Sequence, residues 1–284
     1  SKILQKKLFS EIKSKIKLAD ETLKFKDDRY FYWSKTVENG NYRKYLRQKI
    51  GSSDIEIYFD ADKEKELSGS KYFGLGSVSV SHNDKILAYS LDLKGSEYYD
   101  IFLRDLNTNK LLEEKIEKTS GSITWSLDSK SFFYTPLDKY HRSKKIYKHI
   151  LGTSIKEDLL IFEEKDDSFS VGISLTSDEK YFVVSTSDSN TTEEYFFGSK
   201  EEKIKPILFD TREKGIRYSI DSWQNYWYKH TNENALDYQI LRCKHNNIKK
   251  FDTFIPPKDE TIIGSLEFLD NYILRGEMSD AIPK

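Results

Sequence analysis

A single cysteine, Cys243, in a chain of 284 residues excludes an intrachain disulfide framework and a zinc site built from several cysteines. Neither sign of charge is in excess. The 46 basic and 47 acidic residues leave a net charge of -1, which argues against both a globally basic nucleic-acid binder and an acidic, solvating chain. Long apolar runs are missing as well. With 33% charged residues, 37% hydrophobic residues and a mean hydropathy of -0.69, no stretch is apolar enough to cross a membrane as a helix. Residues 1–17 alternate Lys with Ile and Leu and contain no apolar signal core, so a soluble, cytoplasmic protein is expected. Five prolines and 13 glycines are too few for a disordered, low-complexity chain.

Aromatic residues are abundant: 19 Tyr, 17 Phe and 4 Trp make up 14% of the chain. Set in short β-branched segments between polar turns, they point to β structure. The exception is the first twenty residues, where Leu4, Leu8, Ile12 and Ile16 recur every fourth position and predict an amphipathic helix ending near Asp20–Thr22. From Arg29 onward the apolar residues fall in short runs bounded by Asp, Asn, Ser, Gly and Lys, the pattern of strands joined by hairpins.

One hairpin pattern repeats. It is clearest in Val78–Tyr89, Ile123–Tyr134 and Ile173–Val184, weaker in Ile220–Tyr228 and Leu266–Leu274, and begins at Asp27–Trp33. Taking Asp28, Asp84, Asp128, Asp178, Asn225 and Asp270 as the turn residues, successive gaps are 56, 44, 50, 47 and 45. That period, with four short strands per unit, is the signature of a β-propeller. On this count five units are complete, and the sixth, from about Thr261, has room for only two strands.

The individual candidates for chemistry read as structural. No G-x-S-x-G elbow is present, and Ser77 and Ser154 are expected in turns. Among His82, His141, His149, His230 and His245, the last forms a C-x-H pair with Cys243, two ligands at most and not a zinc site. Glu163–Glu164 and Asp166–Asp167 are adjacent carboxylates pointing to opposite faces or lying in a solvated inter-blade loop, not an acid–base pair. The basic run Arg142–Lys148, with Lys144, Lys145 and Tyr147, reads as an exposed outer strand and not a single-strand-binding surface. Trp125, Trp223 and Trp227 are expected to pack between blades. The expected site inventory is therefore empty: no catalytic, cofactor-binding or metal-binding residue.

The sequence also resembles a known family. The matching runs are Glu11–Ile16, Asp20–Thr22, Tyr30–Lys35, Gly40–Tyr42 with Arg47, Leu87–Asp92, Gly95–Glu97, Ile101–Leu106, Ile123–Trp125 and Phe133–Thr135. They continue through His149–Thr153, Asp158–Glu164, Lys165–Asp167, Ser187–Glu194, Arg212, Tyr218–Asp221 and Thr231–Asn232. Together they resemble the propeller of the oligopeptidase B group in the prolyl oligopeptidase family of serine peptidases.

The resemblance implies a seven-bladed propeller that admits short peptides to an α/β-hydrolase domain cutting after Arg or Lys. The expected fold is thus all-β: an N-terminal helix (1–22), then an incomplete propeller of seven-bladed type (23–284), about five and a half blades of four antiparallel strands. The family's Ser-Asp-His triad lies in the hydrolase domain and has no matching position here, so no cofactor and no activity of the chain alone are expected. The partners expected are a separately encoded α/β-hydrolase chain or a second copy of this chain, with short peptides where a catalytic partner exists, and neither nucleic acid nor membrane. A non-catalytic interaction scaffold is the alternative.

Overall fold

The computed structural model describes residues 1–17 and 19–284; Leu18, inside the segment assigned above to the helix, lies outside the described residues. The chain forms two compact units, residues 1–78 with 92–96, and residues 79–91 with 97–284. Among the described residues no helix is long and apolar enough to cross a membrane.

The first unit opens with the predicted helix, Lys2–Lys15, capped at Ser1 by a hydrogen bond to the Leu4 amide. None of its residues is buried, and Leu4, Leu8 and Ile12 project into solvent. Asp20–Glu21 already belongs to the first sheet. That strand and Phe25–Asp27 pair with opposite ends of Tyr30–Thr36, so together they act as one interrupted edge strand. Lys44–Lys49 and Ile55–Asp60 complete the sheet around Tyr32, Trp33, Leu46 and Phe59. A second helix, Ala61–Ser68, was not foreseen. Asp60 caps its start by accepting from the Lys63 amide at 3.2 Å, and Gly69 ends it at φ 59°, a left-handed conformation that glycine adopts without penalty.

Five further sheets follow, each an antiparallel meander in sequence order. The second contains Gly74–Val80, Ile86–Asp92, Tyr99–Asp105 and Lys110–Thr119. The third contains Thr124–Trp125, Ser131–Tyr134, Lys145–Ile150 and Leu159–Glu163; the fourth, Ser170–Leu175, Tyr181–Ser187, Thr192–Gly198 and Ile207–Asp210. The fifth is made of Tyr218–Trp223, Tyr226–Thr231, Gln239–Lys244 and Asp252–Ile255, and the sixth of Thr261–Phe268, Ile273–Ser279 and Ile282–Pro283. The structure therefore has six blades, not the incomplete seven-bladed arrangement of five and a half expected above. The miscount has a local cause. The last strand is two residues long and returns through Asp280 and Ala281, both at positive φ, as a tight two-residue hairpin does. A strand that short carries no periodicity to read.

Within the second unit, apolar clusters alternate with sheets. Ile101, Leu103 and Ile116 meet Trp125, Phe132 and Tyr134. Phe133 and Ile146 meet Phe182, Val184 and Phe197. Val183 and Phe209 meet Trp227 and Cys243, and Tyr228 and Ile240 meet Ile263. The third, fourth and fifth sheets thus each bury both faces, one against the preceding sheet and one against the next.

The repeat reappears as hydrogen bonds between equivalent positions of successive sheets. Trp125 Nε1 donates to Ser79 O, 46 residues away, Thr124 Oγ1 to Ile173 O across 49, and Trp223 Nε1 to Leu269 O across 46. The Ser177 amide donates to Asp221 Oδ1, 44 residues on. The repeated turns also superpose, with one shift of register from the alignment above. Ser81, Ser126 and Thr176 accept from the amide five residues on, while Asn83, Asp128 and Asp178 accept from Lys85, Lys130 and Lys180. The residue in the left-handed conformation is Asp84, Ser129 or Glu179, so Asn83, not Asp84, is the counterpart of Asp128.

Trp227 is the largest fully buried side chain and touches Tyr181, Phe196 and Phe209 of the preceding sheet at ring-centroid distances of 4.7, 4.9 and 5.5 Å. Trp227→Ala is expected to lower unfolding stability by about 3–5 kcal/mol in chemical denaturation, the range for removing a buried aromatic that cannot be refilled.

Candidate functional site

In a four-strand meander the turns joining the first and second, and the third and fourth, strands lie at one end. The turns joining the second and third strands, and the connections to the next sheet, lie at the other. In the second unit this latter end collects the buried charge.

Its centre is Arg212, in the connection between the fourth and fifth sheets. Nη2 reaches Glu164 Oε2 at 2.6 Å and Glu193 Oε2 at 2.8 Å, and the guanidinium lies 4.0 Å over the Phe169 ring. Glu164 follows the last strand of the third sheet, and Glu193 is the second residue of the third strand of the fourth. The 48 residues from Glu164 to Arg212 are again one repeat. Both carboxylates are buried, so removing one partner would leave an uncompensated charge. Burial opposes the ionised form of Glu164, but the Thr186 hydroxyl, the Asp166 amide and Arg212 outweigh it and hold the carboxyl below its ordinary value. For Glu193 burial is outweighed in the same way, chiefly by the side chain and amide of Arg212.

Glu194, the next residue, points to the other face and has no cation paired with it among the described residues. It accepts from the Ile220 amide at 2.6 Å and from the Ser185 hydroxyl, while its own amide donates to Tyr218 Oη at 2.8 Å. Burial pushes its carboxyl up to about 8. A second cluster lies one sheet on, where buried Lys229 Nζ sits 2.6 Å from Asp210 and 3.0 Å from Glu233, with the Tyr218 ring 4.8 Å away.

At the same end, a cavity of about 430 Å³ is lined by Pro136, Leu137, Asp138, Arg142, Lys144, Lys145 and the segment Glu163–Lys165 with Asp167. The basic run expected on an exposed outer strand borders it. Lys145–Ile150 is the third strand of its sheet, covered by Leu159–Glu163; Arg142, Lys144 and Lys145 are ion-paired, and Lys148 lies over the Phe133 ring. Arg142 Nη2 meets Asp138 Oδ2 at 2.8 Å, Arg142 Nη1 meets Asp167 at 3.1 Å, and Lys145 meets Glu163 at 3.3 Å. Glu163 and Glu164 do point to opposite faces, but Glu164 is buried and ion-paired, not solvated. Asp166 and Asp167 lie in a loop, as read from the sequence.

The remaining candidates are structural in their contacts. Cys243 is buried beside Trp227 with its thiol pushed up to about 11 by burial. Among the described residues no group of three or more His, Cys, Asp and Glu is placed to hold a metal ion. Ser154 caps a short 3-10 turn, whereas Ser77 lies inside the strand Gly74–Val80 and not in a turn, since Gly74-Leu75-Gly76 is extended in spite of its glycines. His141 packs against Tyr98 with ring centroids 4.1 Å apart and planes tilted by 38°, and His230 Nε2 lies 2.8 Å from Ile263 O. His149 is buried, with Nδ1 2.8 Å from Asp158, whose other oxygen accepts from Tyr134 Oη at 2.7 Å.

Ser222 Oγ lies 3.0 Å from His245 Nε2 and 2.9 Å from Asp178 Oδ2. In a hydrolytic triad the carboxylate orients the imidazole, and the serine is open to substrate. Here the carboxylate contacts the serine, and Ser222 is fully buried.

The buried carboxylates set opposite pH dependences. Glu164 and Glu193 have lowered pKa values, so they stabilise the fold above the ordinary carboxylate range and lose that contribution as pH falls through their folded values. Glu194 is raised, so its contribution is full below the ordinary value and falls as pH rises towards about 8. Glu194→Gln is expected to flatten the decline in stability between pH 5 and 8 in urea titrations. Arg212→Met is expected to cost about 3–5 kcal/mol at pH 7 in the same titrations, and less in acid, where the two carboxylates protonate.

The family model described as "Prolyl oligopeptidase, N-terminal beta-propeller domain" matches residues 1–284. Protease 2 of Moraxella lacunata is 30% identical, over 87% of this chain and 37% of that protein. Dipeptidyl aminopeptidase BI of Pseudoxanthomonas mexicana is 25% identical, over 99% of this chain and 41% of that protein. In structure, oligopeptidase B from Leishmania major superposes with a TM-score of 0.90 at 21% identity, over 99% of this chain and 40% of that one. The chain spans about two fifths of the length of these relatives. With six blades and a family-model match along its full length, the chain belongs to the prolyl oligopeptidase family and represents its N-terminal β-propeller domain.

Proposed function

We propose that this chain is the substrate-gating propeller portion of an oligopeptidase B-like serine peptidase that hydrolyses short peptides after Arg or Lys, and that it has no peptidase activity by itself. The observation that carries the reading is the family match along all 284 residues, in a chain spanning about two fifths of its relatives. The nucleophile, base and oxyanion donors are then supplied by an α/β-hydrolase portion, in the same polypeptide or as a separate chain. The N-terminal helix is the docking element: Leu4, Leu8 and Ile12 form an apolar stripe, 47–62% exposed, on a helix with no buried residue, and Ile16, the extended residue that ends it, is exposed as well. A stripe of this kind is stable once a partner covers it.

The test uses an Arg-Arg fluorogenic peptide. The 284-residue chain alone is expected to give no turnover, and adding the α/β-hydrolase portion is expected to restore it. Leu8→Lys with Ile12→Lys is expected to weaken that complementation at least tenfold while leaving the denaturation profile of the sheets unchanged. Turnover by the highly purified chain alone would overturn the inactivity. Failure of the two portions to bind would favour a non-catalytic interaction scaffold.

A further inference from the structure

The cavity bordered by Arg142 and Lys144 holds an arrangement that the gating role does not require. Two cations from one loop converge on a single carboxylate: Asp167 Oδ2 is 3.1 Å from Arg142 Nη1, and Oδ1 is 3.5 Å from Lys144 Nζ. A bound ligand carboxylate would be held in the same bridging way. The cations are fixed independently of Asp167. Asp138 grips Arg142 through Nε at 2.9 Å and Nη2 at 2.8 Å, and Arg142 stands 4.9 Å from the Tyr140 ring. Lys144 donates to Asp166 O, and its side chain is only 13% exposed.

Asp167, by contrast, is 74% exposed and sits at distances longer than a tight charge-assisted bond. Exposed ion pairs of this kind contribute little, so displacing Asp167 costs little. The cavity of about 430 Å³ falls within the size range of small-molecule sites and is much larger than one inorganic anion needs. Pro136 and Leu137 supply an apolar wall, and the Lys145–Glu163 pair lies on the lining as polar groups for a peptide unit.

We propose that this cavity seats the C-terminal carboxylate of a short peptide, and that Asp167 is the internal occupant the ligand displaces. Arg142 and Lys144 bind the carboxylate, Asp138 holds the guanidinium in plane, and Pro136 and Leu137 receive an apolar last side chain. The seat lies wholly on this chain and does not depend on the peptidase assignment, because binding is measured without catalysis.

The probes are acetyl-alanyl-leucine with a free C-terminus, its C-terminal amide and inorganic phosphate, titrated calorimetrically against the full 284-residue chain. The free acid is expected to bind with an affinity that falls with added salt, while the amide and phosphate do not bind measurably. Asp167→Asn is expected to tighten the acid about two- to fivefold, by removing the competing ion pair. Arg142→Gln and Lys144→Met are each expected to abolish binding with an unchanged circular-dichroism spectrum. Absence of binding, equal binding of acid and amide, displacement of the acid by equimolar phosphate, or unchanged affinity in Asp167→Asn would each overturn the proposal.

Discussion

A four-stranded antiparallel sheet with apolar residues on both faces cannot remain single in water, and the second unit is organised around that constraint. Its sheets stack in chain order, so that Phe132 and Phe133, neighbours on one strand, enter different clusters and join their sheet to the one before and the one after. Val183 and Val184 do the same one sheet later. The polar groups follow the same rule. A buried indole N–H needs an acceptor, and Trp125 finds a backbone carbonyl 46 residues away; the partly exposed Trp223 makes the same bond across the same spacing. A repeat of 44–49 residues is therefore a packing register: an altered spacing would take the indole, the threonine hydroxyl or the Ser177 amide away from its partner.

The two ends of the sheets solve a different problem, the termination of strands, in different ways. At the end carrying the turns between first and second strands, the hydroxyls of Ser81, Ser126 and Thr176 accept from the backbone amide five residues on and donate to the Asn or Asp side chain two residues on. These turns are local and hold wherever the motif occurs. At the opposite end the solution is long-range: Arg212 joins two carboxylates, and Lys229 joins two more. Taking such charges out of water is costly unless every partner is present, so the arrangement specifies which connection lies against which sheet more than it adds stability. It also leaves that end rich in fixed charge, where a modest change of ligand or pH has most to act on.

Much of this was legible in the sequence, and the pattern of success has a physical basis. The hairpins were visible because a turn motif of five residues is local chemistry, and the helix because Leu4, Leu8 and Ile12 keep a strict spacing. The position of Asn83 was misjudged by one residue because Asn and Asp both accept from the amide two residues on, so Asn83-Asp84 presents two candidates where Asp128-Ser129 presents one. The helix Ala61–Ser68 was missed although Asp60 and Gly69 bracket it, because eight residues span too few turns to show a period. In the sequence Glu164 stands out as one of two adjacent carboxylates without an acid–base role, and Glu193 only within the stretch Ser187–Glu194 that carries the resemblance. Nothing local marks them as buried, since their partner lies 48 and 19 residues away. Arg212, one repeat beyond Glu164, was the available signal, and it becomes readable only once the period is applied to charged as well as apolar residues.

The same reasoning separates chemistry from structure in the Ser222 group. A serine within 3.0 Å of both a histidine and an aspartate has the residue types of a hydrolytic triad. It does not have the wiring. A nucleophile must be deprotonated by an imidazole that is itself oriented by the carboxylate, and its oxygen must be reachable. Here Ser222 Oγ stands between Asp178 and His245 and is fully buried, and burial lowers the pKa of His245. An imidazole kept neutral in an aromatic cage of Tyr181 and Trp227 suits packing between the fourth and fifth sheets. The serine's two partners come from different sheets: Asp178 from the turn of the fourth, 44 residues away, and His245 from the end of a strand in its own. The group is thus another instance of the repeat-spaced hydrogen bond, and its function is to keep two sheets in register.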